Sequence, residues 1–343
     1  MPWFDVPASM ENRTEPWPTV GRNETVPEVD KATFTKVERT LKGAYFGLVG
    51  EVLGSSITNV SDLEMGIEQG LVMNPPFRMM NETGVVGALR LVEDFAVENP
   101  GFRVDPCLKR AEPWKIPHIH RKDVNGIAIV TIRRPKTLNA LNLELYNELR
   151  DLFAEIKKDK SIKAAVLTGF GTKAFVSGAD IGMLASLQSP AEAEACSWSS
   201  QEVLLAIQYL GKPVVAALNG LALGGGSELA LACTARIARK GLPVCFGQPE
   251  PKLGIIPGAG ATQRLPRVIG FEAAWEILRT GRTVSGAEAY RLGYLREQVD
   301  GDLVGRAMEI ARILIEGSTI EVPPLTVPSR LPQVEIGSLS RRI

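Results

Sequence analysis

The stretch that decides the fold is Pro213–Arg264. It opens Pro-Val-Val-Ala-Ala-Leu, an apolar run with the length and β-branching of a buried strand. A turn signal, Asn219-Gly220, follows, and three glycines at 224–226 then lead into the helix-like run Leu-Ala-Leu-Ala-Cys. Glycines ahead of a helix leave backbone N–H groups open at its positive end. The stretch therefore predicts a strand, a glycine-rich loop and a helix that can together hold developing negative charge.

Two carboxylates accompany this loop. Glu228 lies near the start of the helix, and Glu250 lies downstream in Phe-Gly-Gln-Pro-Glu, in a run with no other charge from Pro243 to Pro251. Their apolar surroundings predict that both are buried. Two nearby carboxylates in an apolar pocket have their pKa values driven apart, so that one stays protonated. N–H donors beside such a pair suit proton transfer next to a thioester carbonyl.

Three further segments carry motifs in a fixed order. Arg134–Leu141 reads Arg-Pro-Lys-Thr-Leu-Asn-Ala-Leu, Phe175–Ile181 reads Phe-Val-Ser-Gly-Ala-Asp-Ile, and Gly254–Arg264 reads Gly-Ile-Ile-Pro-Gly-Ala-Gly-Ala-Thr-Gln-Arg. With the two acid-bearing segments, they resemble the crotonase (enoyl-CoA hydratase/isomerase) family, over about Gly126 to Gly317. The resemblance implies an α/β fold, with repeated ββα turns in a stacked spiral. The alternation of strand and helix patterns agrees with parallel strand pairing.

The same resemblance assigns roles to residues of this chain. The backbone N–H groups of Ala179 and Gly225 would stabilise the thioester oxygen, Glu228 and Glu250 would hold the reacting water, and Gly258 would position it. Residues that would clasp the adenine and pantetheine of coenzyme A are Lys136, Thr137, Leu138, Ser177, Gly178, Asp180 and Ile181. The sequence leaves open which glutamate is the acid and which the base.

The implied reaction is enoyl-CoA hydration, the syn addition of water to a trans-2-enoyl-CoA in fatty-acid β-oxidation. Retention of both Glu228 and Glu250 favours hydration over enoyl-CoA isomerisation on the same site. A third alternative is a non-catalytic acyl-CoA-binding fragment. The substrate is a coenzyme A thioester, and no resident cofactor is expected. Neither glycine-rich segment completes Gly-x-Gly-x-x-Gly, so no NAD site is expected either.

The chain ahead of this domain changes character at about residue 29. Residues 1–28, rich in Pro, Thr, Glu and Asn, predict a disordered lead. Apolar residues from Phe34 to Val52 then repeat at helical spacing, and Ser61-Asp-Leu-Glu64 predicts a capping box that opens a second helix. A third helix is predicted over 83–97.

This block predicts a small all-helical domain over 29–108. Its segment Asn59–Phe77, which contains Met-Gly-Ile-Glu-Gln-Gly-Leu-Val-Met-Asn-Pro-Pro, resembles the C-terminal domain of 3-hydroxyacyl-CoA dehydrogenases. That likeness implies a place in a multifunctional hydratase/dehydrogenase. A linker is expected over 109–123, including two solvated histidines, and the crotonase-like domain over 124–317.

Residues 318–343 are rich in proline and predict an irregular, truncated tail. The resemblance implies C-terminal helices that cover the acyl pocket and help to build a trimer. Apolar surface around Ala274, Trp275 and Ile277–Leu278 is therefore expected to stay uncovered in this chain. A homo-oligomer based on trimers, or association with other β-oxidation subunits, is expected.

Composition limits the other partners. Among 343 residues, 39 Lys and Arg balance 39 Asp and Glu, so no electrostatic attraction to nucleic acid or an anionic membrane is expected. The sequence has no signal-like start and no membrane-length apolar run, which predicts a cytoplasmic protein. Four scattered cysteines and two histidines, without a paired ligand motif, predict reduced thiols and no metal site.

Overall fold

The computed structural model describes residues 29–317, which form two compact units that divide between Pro117 and His118. The predicted disordered lead at 1–28 and the predicted irregular tail at 318–343 lie outside the described residues. Within the described range, no helix is long and apolar enough to cross a membrane.

The first unit is helical, as the sequence predicts. Its helices are α1 (Lys31–Gly54), α2 (Val60–Met65), α3 (Pro76–Thr83) and α4 (Val85–Glu98), with a π-helical turn at Gly66–Gly70 and a 3-10 turn at Pro106–Leu108. Helix α3 is not among the helices that the sequence predicts. Proline is favoured in the first turn of a helix, and α3 begins on the second of these prolines.

Helix α1 turns small residues, rather than its apolar stripe, towards its neighbours. A Cβ built on Gly43 would lie 2.4 Å from Leu91 O in α4, and one on Gly47 would lie 2.3 Å from the ring of Phe102. By contrast, Phe34 is 60% exposed. The glycines let the α4 backbone approach closely, and Phe46 and Val49 complete the buried face, so most of the periodic apolar residues that predict this helix lie off that face.

The start of α2 differs from the predicted capping box. Asn59 is the N-cap, and its side chain accepts from the backbone N–H of Asp62 at 2.9 Å. Glu64 points into the unit, where its carboxylate accepts from Phe77 N at 2.8 Å and from Arg78 N at 3.2 Å. Glu64 therefore caps α3 rather than α2, a partnership between distant segments that no local pattern encodes.

The second unit alternates strands and helices. Its strands are β1 (Ile119–Val124), β2 (Ile127–Ile132), β3 (Ala164–Gly169), β4 (Ala174–Val176), β5 (Val214–Leu218), β6 (Leu221–Leu223), β7 (Ala235–Arg239), β8 (Phe246–Gly247), β9 (Thr283–Val284) and β10 (Glu297–Val299). Its helices are α5 (Leu143–Lys158), α6 (Ile181–Ala185), α7 (Pro190–Gln208), α8 (Gly225–Ala232), α9 (Ala261–Ile269), α10 (Phe271–Thr280), α11 (Gly286–Arg291) and α12 (Leu303–Ile315).

The strands form two sheets. One has the order β1-β2-β3-β5-β7-β10 and the other β4-β6-β8-β9. Among the strand pairs within residues 29–317, only β1–β2 and β8–β9 are antiparallel. From β3 to β8, consecutive strands alternate between the sheets, so β3 and β4, β5 and β6, and β7 and β8 make successive turns of one spiral. This is the predicted crotonase-like α/β architecture.

Apolar side chains fill both faces of the larger sheet, as expected for parallel strands. Val166 and Val215 pack with helix α12 on one face, while Leu167 and Ala216 pack with α5, α7 and α8 on the other. Both clusters exclude water from the strands, which fixes the loops at their ends.

Helix α10 corrects one expectation about uncovered surface. Ala274 and Ile277 have no exposed surface and belong to the main core, while Trp275 is half-buried. The inner face of α10 packs on α9 and on the 3-10 turn Glu250–Leu253, so the unit itself covers these residues.

Part of the predicted linker 109–123 is also structured. Ile119–Val124 forms β1, which pairs with β2 in register from Ile119↔Ile132 to Val124↔Ile127. His118 is not solvated: it is 8% exposed, and its Nδ1 lies 3.0 Å from Glu148 Oε1. Strand β1 pairs with backbone groups of β2 that would otherwise lie unpaired at the edge of the sheet. The proline-rich sequence just before β1 gave no sign of this strand.

Candidate active site

The carboxyl ends of three parallel strands meet at one edge of the smaller sheet. Strand β4 leads into 177–180, β6 into Gly224, and β8 into Gln248. Three of the predicted site segments therefore follow strands of the same sheet. Gly224 N donates to Gly247 O at 2.9 Å, so the segment that follows β6 is hydrogen-bonded to β8.

Gly224 allows the closest approach in the site. Its backbone has φ 49° and ψ −122°, a combination that side-chain-bearing residues avoid. A Cβ built there would lie 2.6 Å from Glu250 Oε1. The carboxylate of Glu250 therefore lies directly over the glycine-rich loop.

The two predicted oxyanion donors converge. Gly225 is the first residue of α8, and a Cβ built on it would lie 3.6 Å from the backbone N of Ala179. Among residues 29–317, neither N–H donates to a protein acceptor. Two open N–H groups, one at a helix N-terminus, can bind one oxygen that gains negative charge.

Glu228 is 2% exposed, and its carboxylate is held by the backbone. Oε1 accepts from Ala259 N at 2.9 Å and from Ala261 N at 2.8 Å. Burial raises the pKa of Glu228 above its ordinary value, and these N–H groups and the guanidinium of Arg264 reduce that rise. The two backbone donors favour the ionised form, so Glu228 is the member of the pair better suited to carry the negative charge.

Glu250 lies in the 3-10 turn after β8 and is 8% exposed. Burial raises the pKa of Glu250 to about 7, and the charge of nearby Glu228 acts in the same direction. No backbone N–H outside its own residue holds this carboxylate among the described hydrogen bonds. The two acids thus lie close enough to interact and have different environments, as the sequence predicts.

Gly258 lies beside the backbone that binds Glu228. Its carbonyl accepts from Ser197 Oγ at 2.8 Å and from Gln201 Nε2 at 2.7 Å, both on helix α7. Its N–H has no protein acceptor within residues 29–317. The predicted role of this N–H in positioning a water is compatible with that geometry.

The two predicted coenzyme A segments lie side by side. Ser177 N donates to Leu138 O at 3.1 Å, and Ser177 Oγ donates to Thr137 O at the same distance. Leu141 N donates to Gly178 O at 2.8 Å. Lys136, Thr137, Leu138 and Ile181 are exposed at this edge. The backbone of both segments is thus ordered, with one side open to solvent.

The side chain of Asp180 is committed to structure rather than open to a ligand. It caps α6 through Gly182 N at 2.9 Å, and Arg134 Nη2 lies 3.0 Å from its Oδ2. Burial raises the pKa of Asp180, but Arg134 and the capping N–H groups outweigh it and hold that pKa below its usual value. Arg134 also donates to Ala140 O, so it ties the two segments together.

Two buried side chains of the site have no counterpart in the sequence prediction. The Tyr146 hydroxyl lies 3.5 Å from the position of a Cβ on Gly225, and burial raises the Tyr146 pKa. Gln248 has no exposed surface and places an amide nitrogen 3.2 Å from Glu250 Oε2. A polar residue inside an apolar run, two positions before Glu250, was the only available signal for Gln248.

Open oxyanion donors beside two buried carboxylates, on an α/β spiral, define an enzyme built for proton transfer next to a carbonyl. The family model for enoyl-CoA hydratase/isomerase matches residues 122–326, and the protein belongs to this family. The predictions of the crotonase-like fold and of an enzyme are confirmed.

Relatives and solved structures agree with this membership. The chain is 40% identical over 197 residues to a short-chain-enoyl-CoA hydratase of Clostridium acetobutylicum, covering 57% of this chain and 74% of that protein. It is 39% identical over 197 residues to the fatty acid oxidation complex subunit alpha of Shewanella frigidimarina, covering 57% of this chain and 28% of that subunit. The crystal structure of an enoyl-CoA hydratase from Bacillus anthracis is 36% identical, with a TM-score of 0.55, covering 58% of this chain and 76% of that one.

Proposed function

We propose that this protein hydrates trans-2-enoyl-CoA by syn addition of water across the C2=C3 bond. The observation that carries the proposal is the presence of both buried acids, Glu228 and Glu250, beside the converging N–H groups of Ala179 and Gly225. Isomerisation needs one group that moves a proton, whereas hydration needs water activation and carbon protonation together.

The environments of the acids support a different role for each. The thioester oxygen accepts from Ala179 and Gly225, which stabilises the enolate-like charge; losing one such donor costs about 3 kcal/mol of transition-state stabilisation. Ionised Glu228 takes a proton from water as its oxygen attacks C3. Protonated Glu250, with its raised pKa, gives a proton to C2. The product gains one hydroxyl at C3 and one hydrogen at C2.

Lys136, Thr137, Leu138 and the segment 177–181 bind the coenzyme A portion through their backbone in this proposal. Their exposed edge suits a long polar ligand that lies partly in solvent. These steps call on no metal or redox cofactor, since conjugation with the thioester makes C3 electrophilic and delocalises the enolate-like charge onto the thioester oxygen.

Incubation of the purified chain with crotonyl-CoA in ¹⁸O-labelled water tests the proposal. We expect 3-hydroxybutyryl-CoA with the label at C3. Incubation with a 3-enoyl-CoA tests isomerisation in parallel. Binding of crotonyl-CoA without label incorporation would overturn hydration, and double-bond migration alone would establish the isomerase alternative instead.

We also propose that the helical unit is similar to the C-terminal domain of 3-hydroxyacyl-CoA dehydrogenases and that the chain acts within multifunctional β-oxidation. Support comes from the segment Asn59–Phe77 and from similarity to a fatty acid oxidation complex subunit. We expect no NAD binding by this chain, a cytoplasmic location, and trimer-based assembly or association with other β-oxidation subunits. Sedimentation and NAD titration of the purified chain test two of these expectations.

A further inference from the structure

A buried polar chain connects Glu250 to Tyr294. Gln248 Nε2 lies 3.2 Å from Glu250 Oε2 and 3.3 Å from Oε1, and Gln248 Oε1 lies 3.2 Å from Ser227 Oγ, with the amide oriented by its partners. Ser227 Oγ lies 3.1 Å from the Tyr294 hydroxyl. Gln248, Ser227 and Tyr294 have no exposed surface.

Donor and acceptor counts give this chain a direction. Once Glu250 has given up its proton, its carboxylate accepts only, so the NH₂ group of Gln248 must face Glu250 in that state. The carbonyl of Gln248 then needs a donor, and the single proton of the Ser227 hydroxyl supplies it. Ser227 Oγ is left as an acceptor for the Tyr294 hydroxyl. Donation therefore runs from Tyr294 through Ser227 and Gln248 to Glu250.

The Tyr294 end of the chain is fixed by packing. Its ring stacks on Phe246 with 3.8 Å between centroids and 7° between planes. Arg236 Nε donates to Tyr294 O at 2.8 Å. Burial raises the pKa of Tyr294, so its hydroxyl stays neutral and can donate across the working pH range.

We propose that Tyr294 and Ser227 are positioning residues of the hydration reaction, which hold the Gln248 amide with its N–H groups towards Glu250. This inference rests on the proposed function. When Glu250 has given its proton to C2, its carboxylate carries a negative charge in an apolar site. Hydrogen bonds from the Gln248 NH₂ group then stabilise that charge. Without Ser227, the amide can turn its carbonyl towards Glu250 and disfavour the carboxylate.

Other ionisable groups surround the chain and must be considered in any titration. Glu228 acts on Glu250, Arg264 acts on Glu228, and Arg236, Cys233 and Cys245 act on Tyr294. Ser227→Ala and Tyr294→Phe leave Glu228, Arg264, Arg236, Cys233 and Cys245 unchanged. A change in the pKa of Glu250 in these variants therefore results from the altered hydrogen bonds between Tyr294 and Glu250.

The test compares Ser227→Ala and Tyr294→Phe with the unmodified protein. Infrared difference spectra against Glu250→Gln give the pKa of the Glu250 carboxyl directly, without turnover. We expect this pKa to rise in both variants, more in Ser227→Ala, and kcat for crotonyl-CoA to fall about tenfold, the equivalent of one hydrogen bond, with KM unchanged. The pH above which kcat/KM declines should rise with the pKa.

Thr168→Val is the matched control. Thr168 is also buried, and its hydroxyl donates to Ala217 O at 2.8 Å, but it is not part of the chain to Glu250. This control should lose stability while keeping kcat and the Glu250 pKa.

An unchanged Glu250 pKa in both variants would overturn the inference, even if both lose stability. Tyr294→Phe keeps the ring that stacks on Phe246, so the Glu250 pKa in this variant tests the inference even if Ser227→Ala does not fold. The two levels of the proposal stay distinguishable. If the unmodified protein adds no water to crotonyl-CoA, the proposed function is refuted. If it is an active hydratase but the Glu250 pKa is the same in Ser227→Ala and Tyr294→Phe, only the positioning role is refuted.

Discussion

Gly224 shows how one backbone position controls the site. An alanine there would put a methyl group 2.6 Å from Glu250 Oε1, at a φ of 49°. We expect Gly224→Ala to displace Glu250 and lower the hydration rate by about 100-fold, the usual cost of such a misplacement. Steady-state kinetics with crotonyl-CoA measure this.

Gly241→Ala is its control. Gly241 also has a positive φ, of 80°, but a Cβ there meets nothing within 4 Å. It should lose about 1–2 kcal/mol of stability through backbone strain and keep its activity. Equal activity in the two alanine variants would show that the close approach to Glu250 does not matter.

Residue identity predicted the two acids but not their roles. Glu228 and Glu250 are recognisable from charge in apolar surroundings. Their environments differ because the backbone N–H groups of Ala259 and Ala261 donate to the carboxylate of Glu228. Backbone donors are present at nearly every residue, so side-chain patterns cannot single out these two.

The start of helix α2 allows two assignments of its N-cap residue to be compared. The structure makes Asn59 the N-cap, whereas the local pattern favours Ser61. We expect Asn59→Ala to cost about 1 kcal/mol of unfolding free energy, since a backbone donor loses its partner. Urea denaturation followed by circular dichroism measures it.

Ser61→Ala should cost less, because the Ser61 hydroxyl makes one exposed bond to Pro117 O at 3.1 Å. A larger loss in Ser61→Ala than in Asn59→Ala would restore the capping box. The pattern failed here because Glu64, which would complete the box, binds the start of α3 instead. Long-range partners of this kind compete with local ones and cannot be ranked from sequence.

Strand patterns in the second unit were more informative than helix patterns in the first. The apolar runs at 164–169 and 214–218 predict the buried strands β3 and β5. Short strands such as β8, with two residues, carry no periodic signal, although β8 places Gln248 and Glu250 in the site. Their position follows from pairing with β6, which only the fold provides.

At the scale of the whole molecule, Glu250 links stability to pH. Its pKa is about 7 in the folded chain, against an ordinary value of 4.5. Between these values the folded chain keeps a proton that the unfolded chain has released, so the contribution of Glu250 to stability is greatest below pH 4.5 and falls as pH rises towards 7. The fall should be roughly 3 kcal/mol for one such group.

Glu250→Gln should remove this part of the pH dependence, because the amide does not titrate. Urea denaturation at pH 5 and pH 8 measures it: relative to the unmodified protein, the variant should gain stability at pH 8. An identical pH dependence in both proteins would show that the folded-state pKa of Glu250 is not raised.

Hydration of crotonyl-CoA by Glu228→Gln and Glu250→Gln tests the central claim most directly. Each variant should lose about 10²- to 10⁴-fold in kcat, because each removes one proton transfer, while calorimetry should find acyl-CoA binding nearly unchanged. Glu155→Gln, whose side chain is 70% exposed on α5, is the matched control and should stay active. Full hydratase activity in either active-site variant would contradict a mechanism in which both glutamates act on one water.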